Sequence, residues 1–271
     1  MGTKPIKANY FVKKDNELTQ ALFYDMTVTA YRIILLASSD KFLEQIKKNP
    51  LAPIRISPTD YHDLYGNGID ASPAYRALKK SVDELLDAKL RFRQIKAHGE
   101  SGHWIGGTNW IDTAKYNSQL KVLEITFTPG IIPMILDVQS QYTYYNLRHI
   151  AKLGSIQSMR MYELMMRWRK RKSTPELSVA YMRTWCGVPD GKYEDLKDFN
   201  KCVIKKAARE ITDKTDIEVE YSQITEGKTT KEYVFTMTYK NETIEGEAQE
   251  SSVGTQGELP LDDDGLPQLG F

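Results

Sequence analysis

The chain has 271 residues, enough for two domains of ordinary size, and 41% of them are apolar, enough for a core in each. Two cysteines, Cys186 and Cys202, make neither a disulfide framework nor a zinc set, which points to a reducing compartment. The formal net charge of +1 hides an asymmetry: residues 241–271 carry eight acids (Glu242, Glu245, Glu247, Glu250, Glu258, Asp262, Asp263 and Asp264) and no Lys or Arg, which leaves residues 1–240 with 37 bases against 28 acids. A body of net +9 with an acidic appendage is the balance expected of a polyanion binder. The N-terminus has no apolar leader, and no run approaches the roughly 18 apolar residues of a membrane span, so the expectation is a cytoplasmic protein with no membrane partner.

In chain order, residues 16–23 predict a short helix capped by Asn16, and residues 27–39 predict a helix buried on nearly every face. A short strand is expected at 54–56. Ser57-Pro58 then opens a helix that Gly66 ends, and Ser72-Pro73 opens the next, running to about Ala88. Strands are expected at 89–95 and 104–111 around a Gly-containing turn, and a third where Leu123, Ile125 and Phe127 alternate. Residues 143–153 read as a joint. Beyond it come helices at 155–168 and 178–186, a long basic helix at 193–211, and a hairpin. In that hairpin Ile217, Val219 and Tyr221, then Tyr233, Phe235, Met237 and Tyr239, face one side. From residue 241 the composition has too little apolar surface to offset ordering entropy, and disorder is expected.

Two stretches of this order read almost alike: LKKSVDEL at 78–85 and IKKAAREI at 204–211. Each is a basic amphipathic helix that leads into alternating strands, so the chain holds two copies of one supersecondary unit. A basic helix followed by a β-hairpin is the plan of a winged-helix DNA reader. The expected fold is therefore α+β: an N-terminal winged-helix domain at 1–145 with DNA contact, a C-terminal one at 146–240 as the main reader, and a disordered acidic tail at 241–271.

In the second copy Leu196, Phe199, Val203, Ala207 and Ile211 share one face. Lys201, Lys205 and Arg209 stand at i, i+4 and i+8 opposite them, with Lys197 and Lys206 at the edges and no acidic partners at i+4. Such a stripe can meet base edges and phosphates in a major groove. In the first copy Arg76, Lys79 and Lys80 face outward, diluted by Asp83 and Glu84, and Lys89, Arg91 and Arg93 come next at period two on a strand. Lys228 sits in the hairpin turn. The run RWRKRK at 167–172 reads equally as a phosphate clamp or an exposed loop.

Enzymatic signatures are missing from the sequence. His62, His98, His103 and His149 form neither His-x-His nor HExxH, no Cys/His cluster has metal spacing, and Ser222 stands where a P-loop before Gly227-Lys228-Thr229 would need glycine. No catalytic residue, metal or cofactor is expected.

The runs ISPTDYHDLYG, SPAYRALKKSVDELL, LEITFTPGIIPMI, QYTYYNLRHIAKLGSIQSMRMYELMMRW and GKYEDLKDFNKCVIKKAAREITDKTDIEVEY, in that order, resemble the plasmid replication initiators of the iteron-binding type over residues 16–239. The resemblance implies two winged-helix domains on directly repeated origin DNA. It also implies monomers that start replication, dimers that repress their own gene, and recruitment of the host initiator and replicative helicase without catalysis, and so adds dimerisation to the first domain. The residues by themselves also admit a winged-helix transcription regulator, or a nicking enzyme acting through a tyrosine. In the tail, QGELPL resembles the peptide that docks on bacterial sliding clamps, with Gln256 as polar hook and Leu259 and Leu261 as apolar anchors.

Overall fold

The structure is a computed structural model that describes residues 9–240 apart from 21, 25, 67–70, 96–102, 137–141 and 228. The first half runs β1 (Phe11–Asp15), α1 (Asn16–Gln20), β2 (Leu22–Tyr24), α2 (Val28–Ala37), α3 (Asp40–Lys48), β3 (Ile54–Ile56), α4 (Pro58–Tyr65), α5 (Ser72–Leu86), β4 (Lys89–Ile95), β5 (His103–Asn109), β6 (Ile111–Asn117), β7 (Val122–Phe127), α6 (Ile132–Leu136) and β8 (Tyr142–Asn146). The second runs α7 (Leu147–Ile150), α8 (Ile156–Arg167), β9 (Leu177–Ser178), α9 (Val179–Trp185), α10 (Leu196–Phe199), a π-helical stretch at Asn200–Lys205, α11 (Lys206–Lys214), β10 (Ile217–Glu226) and β11 (Thr229–Tyr239).

Both halves have winged-helix topology. In the second, β9 pairs with β11 and β11 with β10, all antiparallel. In the first, β3 pairs with β7 and β7 with β6 in the same pattern. The hairpin directly after α5 is a different one: β4 and β5 insert between helix and wing and form a separate sheet with β2. The counterpart of β10–β11 is therefore β6–β7, not the strands expected next to α5. Trp110 makes the transition between the two sheets. It is fully buried, its backbone N–H donates to the Ala88 carbonyl at 3.0 Å, and its carbonyl accepts from Thr128 N at 3.1 Å.

Local signals explain most helix starts. The Thr27 side chain accepts from Ala30 N at 3.1 Å, and α2 is apolar enough that every residue from Ala30 to Ala37 except Arg32 is buried. Ser57 and Asp60 form a reciprocal capping box, with Asp60 N to Ser57 Oγ at 3.2 Å and Ser57 N to Asp60 Oδ2 at 2.8 Å. For α5 the expected Ser72 cap is displaced: Ser72 is already helical, and Ala71 precedes it without a side-chain bond. The helix expected at 16–23 stops at Gln20, because Leu22–Tyr24 pairs with Lys89–Arg91 of β4, a long-range partner that local pattern does not reveal. β1 likewise pairs along its whole length with β8. The 145/146 boundary falls within β8.

The halves meet at α8, whose residues from Ser158 to Arg167 are all buried. Glu163 is its centre. One carboxylate oxygen accepts from Lys14 Nζ at 2.5 Å and Tyr145 OH at 2.6 Å; the other accepts from Arg160 at 3.0 Å and from Tyr31 OH. Lys14, Arg160 and Glu163 are fully buried. Burial would raise the Glu163 carboxyl, but the Lys14 and Arg160 charges and the hydrogen bonds outweigh it and hold it below its usual range. Two cations share this carboxylate, and burial pulls the Lys14 ammonium below its ordinary value despite Glu163. Arg160 also donates to the Trp185 carbonyl and lies over the Trp185 ring, so β1, α2, β8, α8 and α9 are joined through one cluster.

Candidate nucleic-acid interface

The segment from α10 to α11 is built on a buried stripe: Phe199, Val203, Ile204, Ala207, Ala208 and Ile211 pack inward. Lys197, Lys201, Lys205, Lys206 and Arg209 are all exposed, as their positions opposite the stripe predict. The long basic helix is thus present, shifted to 196–214, but it is not uniformly α-helical. Its middle turns are π-helical, with i to i+5 spacing, which widens the helix where Lys201 and Lys205 project. Asn200 Oδ1 is buried there without a hydrogen-bond partner. No residue pattern in the sequence signals this widening, since the apolar spacing suits an α-helix equally well. The expected absence of acidic partners also fails at one position: Arg209 Nε lies 3.6 Å from Asp213 Oδ2.

Anchors hold this helix against the rest of the fold. Glu210 accepts from Gly154 N at 3.0 Å, from Ser158 Oγ at 2.6 Å and from Lys214 Nζ at 2.6 Å, which ties α11 to the start of α8. Burial would raise the Glu210 carboxyl, but these donors outweigh it and keep it below its ordinary range. At the other end Lys240 Nζ donates to the Thr212 carbonyl and, at 2.9 Å, to that of Thr215, and Val219 N donates to Thr212 Oγ1 at 3.0 Å. A cation on the last carbonyls of a helix satisfies orphan acceptors and suits the helix dipole. Ahead of α10, Arg183 donates to the Tyr193 carbonyl at 2.7 Å and lies over the Phe199 ring, fixing the loop that leads into the helix.

The hairpin turns at Gly227, whose φ of 62° suits glycine. Lys228 lies outside the described residues. Along β10 the exposed side chains include Glu218 and Glu220, so the start of this strand presents acids rather than a basic edge.

In the first half Arg76, Lys79 and Lys80 are exposed on α5 over buried Ala74, Leu78, Ser81 and Leu85. Lys80 is 3.6 Å from Glu84, which also accepts from Thr27 Oγ1 at 2.6 Å. Lys89 is exposed on β4, while the side chains of Arg91 and Arg93 lie outside the described ones. The basic run at 167–172 is split: Arg167 is buried against Tyr181, and burial lowers its guanidinium pKa, so it belongs to the core. Lys170, Arg171 and Lys172 lie toward the surface in the turn that ends α8. Gln256, Leu259 and Leu261 lie outside the described residues, as does the whole of 241–271.

Among the described residues no group of three His, Cys, Asp or Glu side chains is placed to hold a metal, and no helix is long and apolar enough to cross a membrane. Cys186 is fully buried, and burial pushes its thiol up to about 12, with the Arg160 charge opposing.

Comparisons with known proteins find relatives over most of this chain. A curated Escherichia coli protein described only as an uncharacterized 27.6 kDa protein is 22% identical over 80% of this chain and 91% of its own length. An Escherichia coli replication initiation protein is 24% identical over 74% of this chain and 61% of its own. A crystal structure of the WH1 domain of a replication protein isolated from a multiple sclerosis patient aligns with 41% of this chain and 78% of its own, at 22% identity and a TM-score of 0.33. Two family models match in succession, "Initiator Replication protein, WH1" at residues 11–166 and "Initiator Rep protein, WH2" at 178–237. The chain belongs to the plasmid replication initiator family and consists of two winged-helix domains.

Proposed function

We propose that this protein binds double-stranded DNA at the repeated sequences of a plasmid origin, with α10–α11 as the main reader and α5 as a second, weaker one. One observation carries the reading. Five cations stand exposed on a helix whose other face is sealed into a winged-helix core and whose far end is clamped. Lys201 and Lys205 meet the groove, with Lys197, Lys206 and Arg209 on flanking phosphates. Arg76, Lys79, Lys80 and Lys89 make the corresponding contacts of the first domain. The two domains divide near the β8–α7 junction. A dimer formed through the first domain represses the protein's own gene. The monomer acts in the cytoplasm, recruits host initiator and replicative helicase, and performs no catalysis itself.

A footprint on the DNA upstream of the gene tests this. Two winged-helix readers on one duplex should protect segments about 10.5 bp apart, or a multiple of that. Affinity should fall linearly in log–log salt plots, with a slope of about −0.9 for each phosphate neutralised. A single short footprint, or affinity independent of salt, would contradict the reading. Helicase loading on supercoiled origin plasmid separates an initiator from a repressor with the same fold.

A further inference from the structure

The outer face of the β1–β8 sheet has a composition that the DNA-reading surfaces do not explain. Side chains alternate along each strand, so Val12, Lys14, Thr143 and Tyr145 are buried while Phe11, Lys13, Tyr142 and Tyr144 are only half-buried. The Phe11 and Tyr144 rings stack at 5.2 Å and 3°. Lys13 Nζ lies 4.0 Å from the Tyr142 ring centre, and the Arg169 guanidinium lies 5.7 Å and 5.9 Å from the Tyr142 and Tyr144 rings. Lys170, Arg171 and Lys172 continue from Arg169 at the surface. Asp15 at the end of β1, and Asp40, which accepts from Phe11 N at 3.1 Å, lie close by. The face is a cation–aromatic ladder with a basic extension.

Its position singles out an occupant. Met237 N of β11 donates to the Lys172 carbonyl at 2.9 Å, and Ser173 bridges to Thr236, so the basic extension runs beside the last residues of the hairpin. Lys240 N donates to the Asp216 carbonyl at 2.9 Å, which fixes where the chain leaves the second domain. Residue 241 is four residues past Met237, no more than about 14 Å of chain. From there the sequence supplies eight acids, no bases, and the apolar side chains Leu259, Leu261, Leu266, Leu269 and Phe271. The hairpin turn at Gly227 lies roughly 30 Å away along the strand, so this face sits at the root of the wing and not at its tip.

We propose that the acidic segment 241–271 docks in cis on the face formed by Lys13, Tyr142, Tyr144 and Arg169–Lys172. Charge complementarity supplies the attraction, and the aromatic rings give the leucines an apolar surface. A ligand on a tether this short has an effective concentration of about millimolar, so weak intrinsic affinity suffices for occupancy. The docked segment shields the joint from nucleic acid and other polyanions, leaving α10–α11 free to read.

Zero-length carbodiimide coupling on the full chain tests this, because it joins carboxylates to lysines only in direct contact. Peptide mapping should find acids of 242–264 linked to Lys13, Lys170 or Lys172. Yield should fall at least severalfold in about 1 M salt, where the screening length is about 3 Å. It should fall similarly in the R169S/R171S variant, whose changes leave the coupling lysines in place. Should that variant fold poorly, the links and their salt dependence in the unsubstituted chain decide alone. Links confined to Lys201, Lys205 and Lys206 would overturn the proposal by placing the segment on the reading helix, and absence of links would overturn it outright. A DNA oligonucleotide that protects Lys170 and Lys172 from acylation without reducing any tail links would assign the face to nucleic acid instead. The position of the links is read without DNA and the origin footprint is read without coupling, so this proposal and the proposed function fail separately.

Discussion

The two reading helices share one pattern and differ in what surrounds it. Both α5 and α11 pack an apolar stripe into a winged-helix core and expose lysines opposite it. On α5 the exposed row continues into Asp83 and Asp87, and Lys80 leans on Glu84. On α10–α11 five cations occupy outward positions, and the π-helical stretch changes their spacing around the axis. The strands beyond each helix differ as well: a long, directly attached wing after α11, an inserted hairpin and a second sheet after α5. A repeat in sequence therefore preserves the core-facing side, where packing constrains residue type, and leaves charge and helix pitch free to specialise.

The joint offers the largest perturbation of this comparison. Glu163→Gln leaves Lys14 and Arg160 buried beside a neutral group, and breaking a buried ion pair from one side costs about 3–5 kcal/mol. Because the cluster draws on both halves, thermal unfolding should shift down for both together. A loss confined to one half would show that the domains are not coupled through Glu163.

A smaller effect distinguishes the helices themselves. Replacing Asn200 by Leu removes a buried, unsatisfied oxygen from the π-helical stretch, a gain of about 1 kcal/mol or more. If the widened helix sets how Lys201 and Lys205 enter the groove, the variant should be more stable by denaturant titration yet bind origin DNA less selectively. Unaltered selectivity would assign the π-helix to packing alone.

Acid titration gives a weaker, directional effect. Glu210 is held below the ordinary carboxylate value of 4.5, so its contribution to stability is present above that value and is lost as pH falls through the lower folded one. Glu210→Gln should flatten the acid limb of the stability curve below about pH 4.5. It should also loosen α11 against Gly154 and Ser158, seen as faster amide exchange at Gly154. An unchanged acid limb would count against this anchor. Smallest of all, deletion of 241–271 should leave folding intact and DNA affinity equal or higher, since it removes eight negative charges. A large drop in melting temperature would contradict that.

The tandem fold is legible in the sequence because each copy carries its own punctuation: Ser57-Pro58 before α4, Gly66 after it, and period-two alternation through Tyr233, Phe235 and Met237. The features it hides depend on distant partners. β1 and β2 are short and find their mates in β8 and β4, more than sixty residues away, and β6 lies almost wholly beyond the strand expected at 104–111, which coincides with β5 and ends at the bend by Trp110. The Glu163 cluster is hidden because α8 looks like an amphipathic helix with a polar side, and only the packing of both halves shows that side to be buried. Likewise Arg167 belongs to a basic run in sequence but to the core in space, whereas the outward lysines of α11 can be read from periodicity alone.

The central claim, that α10–α11 is the dominant reader and α5 the subordinate one, is tested by paired titrations of one origin repeat at fixed salt. K201A/K205A should weaken binding by about 1–3 kcal/mol for any base-edge contact removed and should relax specificity there. K79A/K80A should weaken it less, and nearly equally across sequences, with melting temperatures unchanged in both variants. Equal losses, or the larger loss from K79A/K80A, would contradict the account.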